Sequence, residues 1–134
     1  MKSLVQFFEE NVDKFADNPY MWEKRDGAFR STSYKEMREQ VYQFAAGMIT
    51  IGVTKGDRIS LLAEGRTWWV VAEMGMFYVS AIDVPISIQL NEPADLTFRI
   101  KHSESRMIIV SGSQLKKIDA IRKELPLVEK IILM

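Results

Sequence analysis

The chain has no cysteine, a single histidine and no excess of either charge: its 18 basic and 18 acidic residues cancel. Without cysteine there are no disulfides, no thiolate metal site and no cysteine nucleophile, which fits a reducing compartment. Without a positive surplus there is no field to hold a nucleic-acid backbone, so nucleic acid is not an expected partner. One histidine with no second imidazole or thiolate cannot make a conventional zinc site, and His102, near a helix end, reads as a surface or capping residue. Long apolar runs are also missing. Met1-Lys2-Ser3 leads directly into an amphipathic stretch rather than the apolar core of a secretory signal. The most hydrophobic segment, Trp68 to Val79, contains Glu73 and is too short for the roughly 20 residues of a membrane span. The chain therefore reads as cytoplasmic.

What is present is core-forming material, 47% hydrophobic over 134 residues, enough for one domain or part of one. Ser3 and Gln6 have capping-box spacing before a helix expected over Leu4–Ala16, with Leu4, Phe8, Val12 and Phe15 on one face. Tyr20–Arg25 and Ala28–Thr32 read as strands joined by Asp26-Gly27, a dipeptide suited to a tight hairpin turn. A second capping box, Ser33 with Glu36, opens a helix carrying the stripe Met37, Val41, Phe44, Ala45 and Met48, and Gly52 closes it.

Beyond Gly52, strands alternate with helices. Ile59–Ala63, Ile82–Ile86, Met107–Val110 and the terminal run are strands. Trp68–Val79 is a helix apolar nearly all round, of the kind packed between layers. A helix from Asn91 with Pro93 in its first turn and another capped by Ser113, with Leu115, Ile118 and Ile121 inward, complete the series, and Pro126 separates the last helix from the last strand. This alternation predicts an α/β fold: a mostly parallel open sheet with crossover helices, preceded by a helix and a β-hairpin.

Chemistry is sparse. Gly52-Val53-Thr54-Lys55-Gly56 is glycine-rich and holds a lysine, but it leaves a helix and enters a strand. Phosphates sit where a loop enters a helix N-terminus, so this stretch reads as a turn. Glu64-Gly65-Arg66 follows the carboxyl end of the first parallel strand, the side on which open α/β sheets bind ligands, and is the substrate-side loop candidate; a solvated loop is the plainer reading. Asp83, within an apolar strand, either faces a site or caps a backbone group. Trp68, Trp69, Phe77 and Tyr78 could line an apolar pocket, although aromatic residues on a buried helix are more often core. No catalytic residue and no metal ligand is assigned.

The stretch SYKEMREQVYQFAAGMITIGVTKGDRISLLAEGRTWWVVAEMGMFYVSAIDVPI, from Ser33, resembles the amino-terminal region of the AMP-forming acyl-CoA synthetases. These belong to the adenylate-forming family that includes luciferases and peptide-synthetase adenylation domains. The ordered features are a Tyr-led helix, a Gly-Val-x-Lys-Gly-Asp turn, a strand, a Trp-bearing helix and a Val-Pro strand. HSESRMIIV and LKKIDAIRKELPLVEKIILM continue the likeness, the latter most like the long-chain fatty acid branch. Gly65, Thr67 and Trp68 stand where the family often has Asn, Pro and Glu, and Ser80-Ala81 replaces the usual Gly-Ala.

The resemblance implies that residues 1–134 are the N-terminal part of a larger domain. The strand VEKIILM, buried in character, would then continue into further chain holding the nucleotide loop, the acid tunnel and a mobile carboxyl-terminal domain. The parent would join a fatty acid carboxylate to the α-phosphate of ATP with magnesium present, releasing pyrophosphate, and coenzyme A would displace AMP from the acyl-adenylate. ATP, Mg2+ and CoA are thus implied for the parent, with none expected bound by residues 1–134 alone. Peripheral membrane contact and a homodimer remain open. Two competing expectations are an adenylate-forming enzyme for a different acid and a free-standing α/β interaction module using the Trp68–Val79 surface. A front piece would expose apolar surface and self-associate.

Overall fold

The computed structural model describes residues 1–134. Its elements in chain order are α1 (Leu4–Phe15), β1 (Pro19–Arg25), β2 (Ala28–Ser33), α2 (Tyr34–Thr50), β3 (Arg58–Leu62) and α3 (Thr67–Tyr78). Then follow β4 (Ile82–Pro85), α4 (Pro93–His102), β5 (Met107–Val110), α5 (Leu115–Ile121), a 3-10 turn (Arg122–Glu124) and β6 (Lys130–Leu133). They form two compact units, Met1–Val53 with Arg66–Val79, and Thr54–Gly65 with Ser80–Met134.

The first unit holds α1, the hairpin, α2 and α3. Both capping boxes form: the Ser3 hydroxyl accepts the Gln6 N–H while the Gln6 side chain accepts the Ser3 N–H, and Ser33 and Glu36 do the same. Asp26 and Gly27 have φ of 50° and 79°, the positive values the hairpin turn demands. Phe8 and Val12 of α1, Met37 and Val41 of α2, and Val71 and Met74 of α3 make one core, with Tyr20, Tyr34 and Phe44 packed against it. Leu4 and Phe15, expected on the buried face of α1, are exposed. They lie at the two ends of the helix, where Phe15 is exposed although its ring still lies 6.1 Å from that of Tyr34.

Polar contacts fix the helices to one another. The Glu9 carboxylate accepts hydrogen bonds from the Tyr78 and Tyr42 hydroxyls and from Arg38, joining α1, α2 and α3. Arg66, the N-cap of α3, provides no capping side chain. Glu23 of the hairpin does so instead, accepting the Thr67 hydroxyl at 2.6 Å and the Thr67 N–H at 3.3 Å. A carboxylate there also opposes the positive end of the helix dipole.

The second unit is a parallel sheet of four strands in the order β4-β3-β5-β6. Leu62, Ile108 and Val110 of the sheet pack with Leu96 and Ile100 of α4 and Ile118 and Ile121 of α5. Ile59, Leu61, Met107 and Ile109, on the alternate positions, are fully buried as well, as expected of strands in a parallel sheet. Two expected helix caps are corrected: α4 has Glu92 rather than Asn91 at its N-cap, and α5 has Gln114 rather than Ser113, neither with a capping side-chain bond. Pro93 at the first position of α4 has no N–H to satisfy, and the Ser113 hydroxyl is drawn elsewhere.

At the amino ends of the strands, Asp57 accepts the Thr54 N–H at 2.8 Å and Arg106 at 2.7 Å, while Arg106 holds Glu129 through two nitrogens. One guanidinium thus ties the entrances of β3, β5 and β6. Burial works to raise the Asp57 pKa, but the Thr54 and Arg106 bonds outweigh it and hold the carboxyl below its ordinary value.

Candidate functional site

The strand order defines where a ligand-facing crevice can lie. From β3 the chain proceeds to β4 on one side; from β5 it proceeds to β6 on the other. The adjacent strands β3 and β5 therefore send their following loops in opposite directions, which is the topological switch point of an open α/β sheet.

Glu64 sits in the loop after β3, and Ser111, Ser113 and Gln114 sit in the loop after β5. The loops are joined across the switch point. The Ser113 hydroxyl donates to Glu64 Oε1, Gln114 Nε2 donates to the same atom at 2.7 Å, and the Ser111 and Ser113 hydroxyls are 3.1 Å apart. The Ser111 N–H continues the ladder to Leu62 O at 3.1 Å. Hydrogen bonds from Ser113 and Gln114 favour the charged carboxylate and bring its pKa down to about 2. At neutral pH such a group carries no proton to give and is a weak base, so its chemistry is that of a charged strut.

Lys117 adds a second tie on the same side of the sheet, donating to the Ile88 carbonyl at 2.7 Å and the Leu90 carbonyl at 3.1 Å. It fixes the loop after β4 to α5. The side chains at this end set loop positions, and none is arranged as a nucleophile with its base.

The sequence-derived candidates are placed as follows. Glu64 belongs to the brace. Gly65 has neither a positive φ nor a neighbour within 4 Å of where a Cβ would lie, so nothing in the fold requires glycine there. Arg66 is the N-cap of α3, and its carbonyl accepts the Trp69 N–H at 3.0 Å. Ser113 and Gln114 escaped the sequence reading as partners of Glu64; the signal was a polar Ser-Gly-Ser-Gln loop after a strand.

The Gly52–Gly56 stretch is a turn, as expected. Gly52 and Gly56 have φ of 91° and 87°. The Thr54 N–H is taken by Asp57 and the Gly56 N–H by the Ser80 carbonyl at 2.8 Å, so these amides are already engaged and do not fit a phosphate cradle. His102 stacks on Phe98 with ring centroids 5.4 Å apart. No three His, Asp or Glu side chains converge on a metal position. No helix is long and apolar enough to cross a membrane. Of the aromatic residues on α3, Trp68 is exposed, Trp69 is half-buried, and Phe77 and Tyr78 pack against the first unit's core.

Comparison with known proteins bears on the whole arrangement. The model of the AMP-binding enzyme family matches residues 8–134. The chain belongs to that family. Among curated relatives, long chain acyl-CoA synthetase 8 of Arabidopsis thaliana is 33% identical over 106 residues, covering 79% of this chain and 15% of the relative. The long-chain-fatty-acid–CoA ligase ACSBG2 of Xenopus laevis is 27% identical over 131 residues, covering 97% of this chain and 18% of the relative. This AMP-binding family chain thus spans less than a fifth of either protein.

Solved structures share the fold. The N-terminal domain of FACL13 from Mycobacterium tuberculosis superposes with a TM-score of 0.91 at 22% identity, over 100% of this chain and 34% of that one. An anthranilate CoA ligase with bound anthranoyl-AMP gives a TM-score of 0.88 at 25% identity, over 97% of this chain and 24% of that one. The parallel sheet with its preceding helix and hairpin is therefore the N-terminal architecture of adenylate-forming enzymes.

Proposed function

We propose that residues 1–134 are the N-terminal part of the large domain of an AMP-forming ligase that activates long-chain fatty acids with ATP and passes the acyl group to coenzyme A. The observation that carries this reading is the 33% identity to a long chain acyl-CoA synthetase, of which the chain spans 15%. In this reading the chain is scaffold. Its residues supply no nucleotide loop and no magnesium ligands, and ATP, Mg2+, CoA and the fatty acid are bound by the longer protein. The loop Glu64-Gly65-Arg66 then forms part of the wall on the ligand side, with Glu64 holding the loops after β3 and β5 in register. A cytoplasmic location goes with this reading.

Two measurements test it. The purified 134-residue chain is expected to give no ATP–pyrophosphate exchange with hexadecanoate, and measurable exchange would overturn the scaffold role. The coding DNA beyond the codon for Met134 is expected to continue in frame into a Ser/Thr/Gly-rich loop followed by lysine; a stop codon there would redirect the search to a binding partner. Exchange by that longer protein with an aromatic acid but not hexadecanoate would favour the alternative suggested by the anthranilate ligase likeness.

A further inference from the structure

At the amino ends of the strands, away from the switch-point loops, the second unit holds a cavity of about 110 Å3. Ile100, Leu125, Leu127 and Val128 supply apolar walls, Ser105 lies among them, and Lys101 is the one charged residue of the lining. Ser105 precedes β5 and Val128 precedes β6, while Ile100 and Lys101 belong to the last turn of α4.

The polar groups of this wall are spent on one another. The Ser103 hydroxyl donates to the Ile100 carbonyl at 2.9 Å, its oxygen lies 2.8 Å from that of Ser105, and the Ser105 oxygen lies 2.8 Å from that of Ser60. A hydroxyl has a single proton to give. With the Ser103 proton committed to Ile100, Ser105 must donate to Ser103 and Ser60 to Ser105. The chain of hydroxyls therefore runs in one direction, and Ser105 has no proton left for the cavity. The Ile100 carbonyl also takes the Ser105 N–H, the Lys101 carbonyl the Glu104 N–H, and the Leu125 carbonyl the Val128 N–H. A buried water needs roughly two to four polar partners, so a wall engaged in this way favours an apolar guest. Lys101 stands apart: it is exposed and pairs with no carboxylate of the chain, although Glu124 shares an open cleft with it.

We infer that this cavity binds a short aliphatic carboxylate, its tail among Ile100, Leu125, Leu127 and Val128 and its head at the Lys101 ammonium. The apolar walls select a hydrocarbon, and the lone cation selects an anionic head. The volume limits the tail: at roughly 30 Å3 for a water-sized group, about four carbons fill it. The cavity lies at the opposite end of the strands from Glu64 and Ser113, so it is separate from any acid pocket at the switch point. It uses no part of the proposed ligase activity, and the two readings stand or fall separately.

NMR spectra of the methyl-labelled full chain, titrated with carboxylates of increasing length, test the inference. Pentanoate, whose tail matches the volume, is expected to shift the methyl signals of Ile100, Leu125, Leu127 and Val128 saturably. From propanoate to pentanoate each added methylene should tighten binding about fourfold, and the gain should stop by octanoate. Lys101→Met keeps an apolar stem and removes the charge. It should weaken pentanoate about two- to fivefold, the size of an exposed ion pair, and leave pentanol unchanged. Val128→Phe fills the cavity and should abolish the shifts at Ile100 and Leu125; the exposed Lys101→Met change guards against a Val128 variant that folds poorly. The absence of a saturable shift with every acid, or shifts centred on other residues, would overturn the inference. So would affinity that climbs steadily through octanoate, or pentanoate binding that Lys101→Met leaves unchanged or weakens no more than it weakens pentanol.

Discussion

Two glycines in helices make a controlled test of the packing between α2 and α3. Gly47 lies on the exposed side of α2, and a Cβ built there meets nothing within 4 Å. Gly75 is buried in α3, and a Cβ built there would lie 2.6 Å from Cδ1 of Phe44. Both alanine variants gain the same helix propensity, roughly 1 kcal/mol. For Gly47→Ala nothing opposes this gain, so stabilisation by about 1 kcal/mol is expected. For Gly75→Ala the Phe44 ring must move by several tenths of an ångström in a packed interface, and overpacking of this kind costs about 1–3 kcal/mol. The net expectation is a loss of about 0–2 kcal/mol, and a gap between the two variants of about 1–3 kcal/mol. Urea unfolding followed by far-ultraviolet circular dichroism measures both, with the m-value checking that the compactness of the unfolded state is unchanged. Phe44→Leu should convert Gly75→Ala from destabilising toward neutral, a coupling readable as a double-mutant cycle. If Gly75→Ala stabilises as much as Gly47→Ala, the close approach of the two helices at Phe44 is not real and the account of this core fails.

Ser80, which follows α3, has φ of 58°; relief of about 1–2 kcal/mol of left-handed strain against about 0.5–1 kcal/mol of added chain entropy should make Ser80→Gly stabilising by up to about 1.5 kcal/mol, seen as a higher melting temperature. Asp57 is buried and accepts from Thr54 and Arg106, so Asp57→Ala should cost about 1–3 kcal/mol in urea unfolding, the price of leaving the Thr54 N–H without its acceptor; a change within about 0.5 kcal/mol, as at an ordinary surface site, would contradict the staple. The Glu64 pKa is depressed to about 2 from 4.5, so its contribution to stability is fully present above about pH 5 and is lost as the pH falls toward 2. Glu64→Gln should flatten the acid limb of the stability curve over that window, and an identical acid limb in the variant would remove Glu64 from the brace.

Much of the fold could be read from short stretches because the forces that shape it there are local. Ser3 with Gln6 and Ser33 with Glu36 start their helices through bonds spanning three residues, and Asp26-Gly27 adopts the backbone angles its composition favours. The four parallel strands were legible as apolar runs of strand length between helices. The helix starts at Glu92 and Gln114 were misplaced because neither carries a capping side-chain bond. At α4 the proline settles the start, and at α5 the serine expected to cap is bound to Glu64. The cap of α3 comes from Glu23, 44 residues away, a contact that no local pattern encodes.

The candidate site shows why a loop can be located before its role can be assigned. That Glu64-Gly65-Arg66 follows a strand's carboxyl end is a local fact. That Glu64 is a strut depends on Ser113 and Gln114, 49 and 50 residues further on. Those residues reach it only because β3 and β5 are neighbours in a sheet whose order departs from the order of the chain. The departure is itself what makes a switch point, so the feature that positions a crevice also hides its lining from sequence. With two donors on one oxygen, Glu64 is held ionised where the loops part, and the charge that would otherwise mark it as an acid or base is spent on keeping β3 and β5 in register. Chemistry at this switch point would have to come from groups brought to it, while the bonds that join its two loops are written into residues 64 and 111–114.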